Sequence, residues 1–137
     1  SLSKKYGVKE GTPLNNTIVE FSLKSDTLGD PMINESQITA LQIATEKELR
    51  EMTEQAKKIN ELLNDLFLKA GIRLVDFKLE FGRAGDEIIL CDEISPDSCR
   101  FWDTNTGDKL DKDRFRQDLG NVIEGYQDVL RRLKDVI

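Results

Sequence analysis

The chain has 137 residues, enough for one domain with a real core and too few for two. Its 20 basic and 26 acidic residues give a formal net charge of -6, which speaks against a general nucleic-acid binder, since such proteins carry a basic stripe. The sequence has no His, which removes imidazole catalysis and His-ligated metals.

In chain order, Ser1 to Pro13 is basic and punctuated by Gly, and "TIVEFSLK" at Thr17 to Lys24 predicts a short alternating strand. "SDTLGDPMINES" is turn chemistry, after which Ser36 is expected to cap a short helix over Gln37 to Ile43. Thr45 opens the clearest element: "TEKE" is a capping box, apolar residues follow at helical spacing from Leu49 to Ala70, and Gly71 ends the run. Ile72 to Gly82 and Glu87 to Asp92 are expected to form a hairpin around "RAGD". "EISPDSCRFWDTNTGDKL" reads as a polar loop. A last helix is expected from about Asp111 or Asp113 to the end, with Phe115, Leu119, Val122, Ile123, Tyr126, Val129, Leu130 and Leu133 on its core face. Strand, helix, hairpin and helix in this order predict an α+β domain, an antiparallel sheet packed against two long helices.

Cys91 and Cys99 lack metal-type partners and read as reduced cytosolic thiols. No apolar run approaches the roughly 20 residues of a membrane span, and "SLSKKYGVKEG" has no signal-peptide core. A cytoplasmic chain without membrane contact is therefore expected. It begins without an initiator Met, as if cut from something longer.

The chemistry concentrates in "VDFKLEFG", where Asp76, Lys78 and Glu80 occupy one face at every second position. If this strand pairs with Glu87 to Asp92, Glu80 and Asp92 come within roughly 5 Å when opposed and 7–8 Å diagonally. Opposed acids destabilise a bare sheet, and Lys78 or a hard divalent cation would compensate; magnesium takes such carboxylate oxygens together with substrate phosphates. A solvated strand face with local ion pairs is the plain alternative. "SPDSCR" supplies hydroxyls, turn amides and Arg100, a group that grips phosphate or carboxylate in a bidentate manner, though a polar turn also explains it. Lys112, Arg114 and Arg116 crowd a helix start, where they oppose the dipole unless acids or a bound anion face them.

"LVDFKLEFG", "DEISPDSCRFWD", "KLDKDRFRQDLG", "GDPMIN" and "SLSKKYG" together resemble the C-terminal part of the SAICAR synthetase family, over nearly the whole chain. The resemblance implies an ATP-grasp- and kinase-related C-terminal lobe at 1–137, with the family's N-terminal lobe outside this chain. It implies a magnesium-dependent ligation of L-aspartate to carboxyaminoimidazole ribonucleotide (CAIR), with ATP phosphorylating the CAIR carboxylate before the amine displaces phosphate. Glu80 and Asp92 would then hold magnesium, Lys24 and Lys78 would steady nucleotide oxygens, and Asp76 with Lys78 would serve the chemistry. Ser1, Ser98 and Arg100 would bind the CAIR phosphate and ribose, with Lys112 and Arg116 holding anionic substrate. Partners would be small molecules only, and a homo-oligomer is compatible. The competing assignments are a two-metal nuclease, suggested by D-x-K-x-E but disfavoured by the acidic balance, and a helical interaction module, which leaves the charged strand face unexplained.

Overall fold

The structure, a computed structural model, describes residues 2–137. A short helix α1 (Leu2–Tyr6) precedes two brief strands, β1 (Phe21–Ser22) and β2 (Met32–Ile33), which pair antiparallel. Helix α2 (Glu35–Ala40) leads into the long α3 (Glu46–Lys69). Four strands follow, β3 (Ile72–Phe77), β4 (Glu80–Ala84), β5 (Glu87–Asp92) and β6 (Cys99–Asp103), and then α4 (Asp113–Arg116) and α5 (Val122–Lys134). The class is α+β with antiparallel pairing throughout, as three ladders: β1–β2, β3–β6 and β4–β5.

Helix α3 forms where the sequence places it. Thr45 Oγ1 accepts the Glu48 N–H at 3.2 Å, and the Glu48 carboxylate accepts the Thr45 N–H at 2.7 Å, so two orphan amides are satisfied reciprocally. At the other end Gly71 takes a φ of +68°, the left-handed value that a glycine adopts without penalty. Its carbonyl accepts from the Thr104 amide at 3.1 Å and the Thr104 hydroxyl at 3.0 Å, pinning the helix end to the turn after β6.

Several expectations are corrected. The cap of α2 is Asn34, two residues before Ser36: Asn34 Oδ1 accepts the Gln37 N–H at 2.9 Å, and the Gln37 side chain accepts the Asn34 N–H at 3.0 Å. The strand over Thr17 to Lys24 shrinks to Phe21–Ser22, because β2 offers only two residues to pair with. The expected strand Ile72 to Gly82 is two strands with different partners, and the loop after Asp92 contains β6, the partner of β3. The expected last helix is divided at Gln117–Asn121, where Asp118, Gly120 and Asn121 all take positive φ, which residues of this kind tolerate and a helix does not. After that break Gly125 and Val129 of α5 turn inward. Phe115, Leu119, Ile123 and Leu130, expected in the core, are exposed.

The core lies between α3, the β3–β6 ladder and α5. Phe67, Ala70, Ile72, Leu74, Cys99, Phe101, Leu110 and Val129 are buried together, with Phe67 and Phe101 rings 4.5 Å apart. A bulge in β3 makes this packing consistent. Leu74 faces Phe101 and Asp76 faces Arg100, so Val75 has no opposite number. Side-chain parity changes there, which lets Leu74 and Phe77 share the inner face although their numbers differ by an odd step.

Asp103 closes the far end of the core. Its Oδ1 accepts the amides of Asn105 and Thr106, each at 2.8 Å, and its Oδ2 meets Arg132 of α5 at 2.6 Å. The Thr106 amide above all, then Arg132 and the Asn105 amide, pull its pKa from the ordinary 3.8 down to about 2. The unfolded chain therefore binds this proton more tightly than the folded one. The stabilisation is complete above the ordinary value and drains away as pH falls from there toward about 2. Asp103→Asn is expected to lose about 2 kcal/mol near neutrality, less than a fully buried pair because Arg132 keeps Asp128 at 2.7 Å. Thermal melts of both proteins across the acid range check it: the gap in Tm should narrow toward about pH 2.

Candidate functional site

Two polar clusters meet where the β3–β6 and β4–β5 ladders join. The connection is short: β3 ends at Phe77, β4 begins at Glu80, and the Lys78 N–H donates to the Ser98 carbonyl at 2.9 Å. Only Lys78 and Leu79 separate the two ladders, so a single chain turn brings both clusters to one edge.

The first cluster is built on β4 and β5. Glu80 stands directly opposite Asp92, and a bulge next to that pair leaves Cys91 without a partner. Asp92 Oδ1 accepts the Glu93 N–H at 2.7 Å, and Glu93 takes a φ of +86°, a conformation that costs a non-glycine residue about 1–3 kcal/mol. One carboxylate oxygen from each of Glu80, Asp92 and Glu93 lies within 4.8 Å of the others. Lys78 reaches Glu80 at 2.6 Å and Glu93 at 4.0 Å, and Lys24, from the end of the first ladder, pairs with the other Glu80 oxygen. The Lys24 hydrogen bond first, then that of Lys78, hold the Glu80 carboxyl below the usual carboxylate range. The same bonds to Glu80 raise both lysines. The shifts of Glu80, Lys24 and Lys78 all favour their charged forms. A hard cation bound by the three carboxylates would compete with the ammonium groups for Glu80.

The second cluster is built on β3, β6 and α4. Asp76 and Arg100 are cross-strand partners, joined at 2.5 Å. Arg100 Nε donates to Asp113 Oδ2 at 2.9 Å, and Arg116 Nη1 donates to Asp113 Oδ1 at 2.9 Å. Beneath them Asp111 is fully buried, accepting the Phe101 and Asp113 amides at 2.7 Å each. Burial raises its pKa, against the two amide hydrogen bonds. Lys112 lies 3.7 Å from Asp97, whose other oxygen accepts the Tyr126 hydroxyl at 2.6 Å. Burial first, then Asp97, pushes the Tyr126 phenol up to about 12.

The sequence-derived residues thus divide. Lys24, Lys78, Glu80 and Asp92 converge in the first cluster. Asp76, Arg100, Lys112 and Arg116 belong to the second, and Asp76 faces Arg100 rather than the Lys78–Glu80 pair. Ser98 closes a turn on itself, its hydroxyl accepting the Ser95 amide at 3.1 Å and donating to the Ser95 carbonyl at 3.2 Å. Ser1 lies outside the described residues. Sequence reasoning assigned no site role to Glu93, Asp111 or Asp113. Glu93 adjoins Asp92 and was legible as an acidic pair; the burial of Asp111 and Asp113 in the middle of a charged run carried no local signal.

At this edge the α+β domain sets lysines against clustered carboxylates, beside arginines held by acids. The chain belongs to the SAICAR synthetase family, whose pattern it matches over residues 1–133. It is 53% identical to a phosphoribosylaminoimidazole-succinocarboxamide synthase of Clostridium kluyveri over 135 residues, 98% of this chain and 57% of that protein. A crystal structure of the synthase from Ehrlichia chaffeensis superposes with a TM-score of 0.91 at 47% identity, covering 98% of this chain and 58% of the other. A SAICAR synthetase solved in complex with ADP gives 0.90 at 48% identity, covering 96% and 57%. The chain therefore spans little more than half the length of the relatives it matches. Among the described residues no helix is long and apolar enough to cross a membrane.

Proposed function

We propose that residues 1–137 act as the C-terminal, ATP- and CAIR-binding lobe of an ATP-dependent carbon–nitrogen ligase that joins L-aspartate to CAIR in the cytoplasm. The observation that carries this is the meeting of Glu80 and Asp92 across one ladder, with Lys24 and Lys78 on Glu80. ADP bound to a relative at 48% identity supports a nucleotide at this fold.

Phosphoryl transfer between two anions asks the protein for positioning and charge neutralisation more than for covalent chemistry. Glu80, Asp92 and Glu93 present hard oxygen donors close enough to share one ion, which is the donor set that suits magnesium. Bound there, magnesium would neutralise phosphate charge and orient the nucleotide. Lys78 and Lys24 are long and largely exposed, and they can turn from Glu80 to phosphate oxygens. Arg100 binds the CAIR phosphate and ribose region together with Ser1 and Ser98, and Lys112 and Arg116 hold anionic substrate. Asp76 orients Arg100 through their 2.5 Å pair and is a candidate to receive a proton from the attacking amine.

The test uses this chain within a protein of its relatives' full length. ADP and the succinocarboxamide product should form only when ATP, magnesium, CAIR and aspartate are all present. ADP released at the same rate without CAIR, or no product with all four, would overturn the assignment.

A further inference from the structure

Asp113 stands out in the second cluster because a single carboxylate serves two guanidinium groups from different elements. Arg100 comes from β6 and Arg116 from α4, and each donates to its own Asp113 oxygen at 2.9 Å. The Asp113 side chain is only 8% exposed, whereas those of Arg100 and Arg116 are 33% and 48% exposed. The acid is thus sunk beneath two cations that reach solvent.

The backbone fixes this arrangement. Asp111 accepts the amide of Phe101, the residue after Arg100, with one oxygen and the amide of Asp113 with the other, both at 2.7 Å. That buried bridge sets the spacing between β6 and the first turn of α4. A guanidinium carries five N–H donors, and Asp113 takes one from each arginine. Asp76 takes a second from Arg100. Two like charges would otherwise repel, and the carboxylate between them offsets that cost while N–H donors remain on both guanidiniums for a further anion.

We propose that Asp113 is a positioning residue, holding Arg100 and Arg116 side by side as a clamp for the anionic end of CAIR. The inference rests on the function proposed above, in which these arginines face the substrate. Asp113 touches no substrate itself; it acts through the two guanidiniums. A purely structural acid would change stability alone.

Steady-state kinetics in the full-length protein separate these roles. Asp113→Asn should raise KM for CAIR about tenfold, with kcat and KM for ATP within about twofold. In an Arg100→Ala, Arg116→Ala background the same substitution should add nothing, since the groups it orients are gone. Asp113→Glu keeps the charge and should raise KM less, and it supplies the measurement if the Asn variant does not fold. Should either Asp113 variant lower Tm yet leave KM for CAIR unchanged, while Arg100→Ala raises it, the positioning role is overturned and the function stands. Should Arg100→Ala and Arg116→Ala both leave that KM unchanged, the arginines do not bind CAIR and the inference falls with them.

Discussion

Replacing Glu80 with Ala should lower turnover by about a thousandfold while leaving the protein folded. The loss is large because Glu80 is the only carboxylate among the described residues that binds both Lys24 and Lys78, and it stands opposite Asp92. Its removal takes away a donor for a hard cation and the group that holds both lysines in place. The fold should tolerate the change. Lys24 and Lys78 are 70% and 52% exposed, so solvent screens their pairs and these add little to stability. Removing one of two opposed acids also relieves a like-charge contact. Turnover and thermal melting of the Glu80→Ala protein, measured side by side, give the answer. Wild-type turnover would remove Glu80 from the chemistry, and a collapsed melt would show that the pair with Lys24 holds the structure. Asp92→Ala should behave in the same way.

The largest stability effect is expected in the core beneath the second cluster. Phe101 is 2% exposed, belongs to the buried core and packs its ring 4.5 Å from that of Phe67. Phe101→Ala should cost about 4 kcal/mol, from lost burial and the cavity left between α3 and β6. Denaturant titration should show the midpoint fall with little change in slope. An unchanged midpoint would mean that the core closes over the gap, against the rigid packing drawn from Phe67, Ile72 and Phe101.

How much of this was legible in the sequence depended on the range of the interaction. The start of α3 was readable because Thr45 and Glu48 are three residues apart and bond to each other's backbone. Its end was readable because Gly71 alone in that stretch takes positive φ cheaply. The approach of Glu80 to Asp92 followed from a two-residue turn at Gly85–Asp86 that brings β4 back along β5. The partner of β3 was not readable in this way. Leu74 pairs with Phe101, 27 positions away, and nothing near either residue marks the match. The alternation of Cys99, Phe101 and Asp103 as buried positions was present, but an inward acid at the third broke the apolar pattern that announces a strand. Asp103 is tolerated there because two amides and Arg132 satisfy it. Asp111 and Asp113 hid for a similar reason: a run of alternating charges reads as a wet surface, and only tertiary structure shows which members turn inward. The last helix misled through periodicity, since Phe115 to Leu133 keeps helical spacing across a segment whose backbone turns left-handed.

The two-residue break at Lys78 and Leu79 has a wider consequence. What comes before it pairs with β6 and what comes after it pairs with β5, so the apolar part of the segment and its acidic part answer to different neighbours. Substitutions that resize the apolar interior can accumulate upstream without rotating the acids downstream, and the charged edge can be retuned without disturbing the packing beneath it. A short break makes a single stretch of polypeptide into two separately adjustable parts.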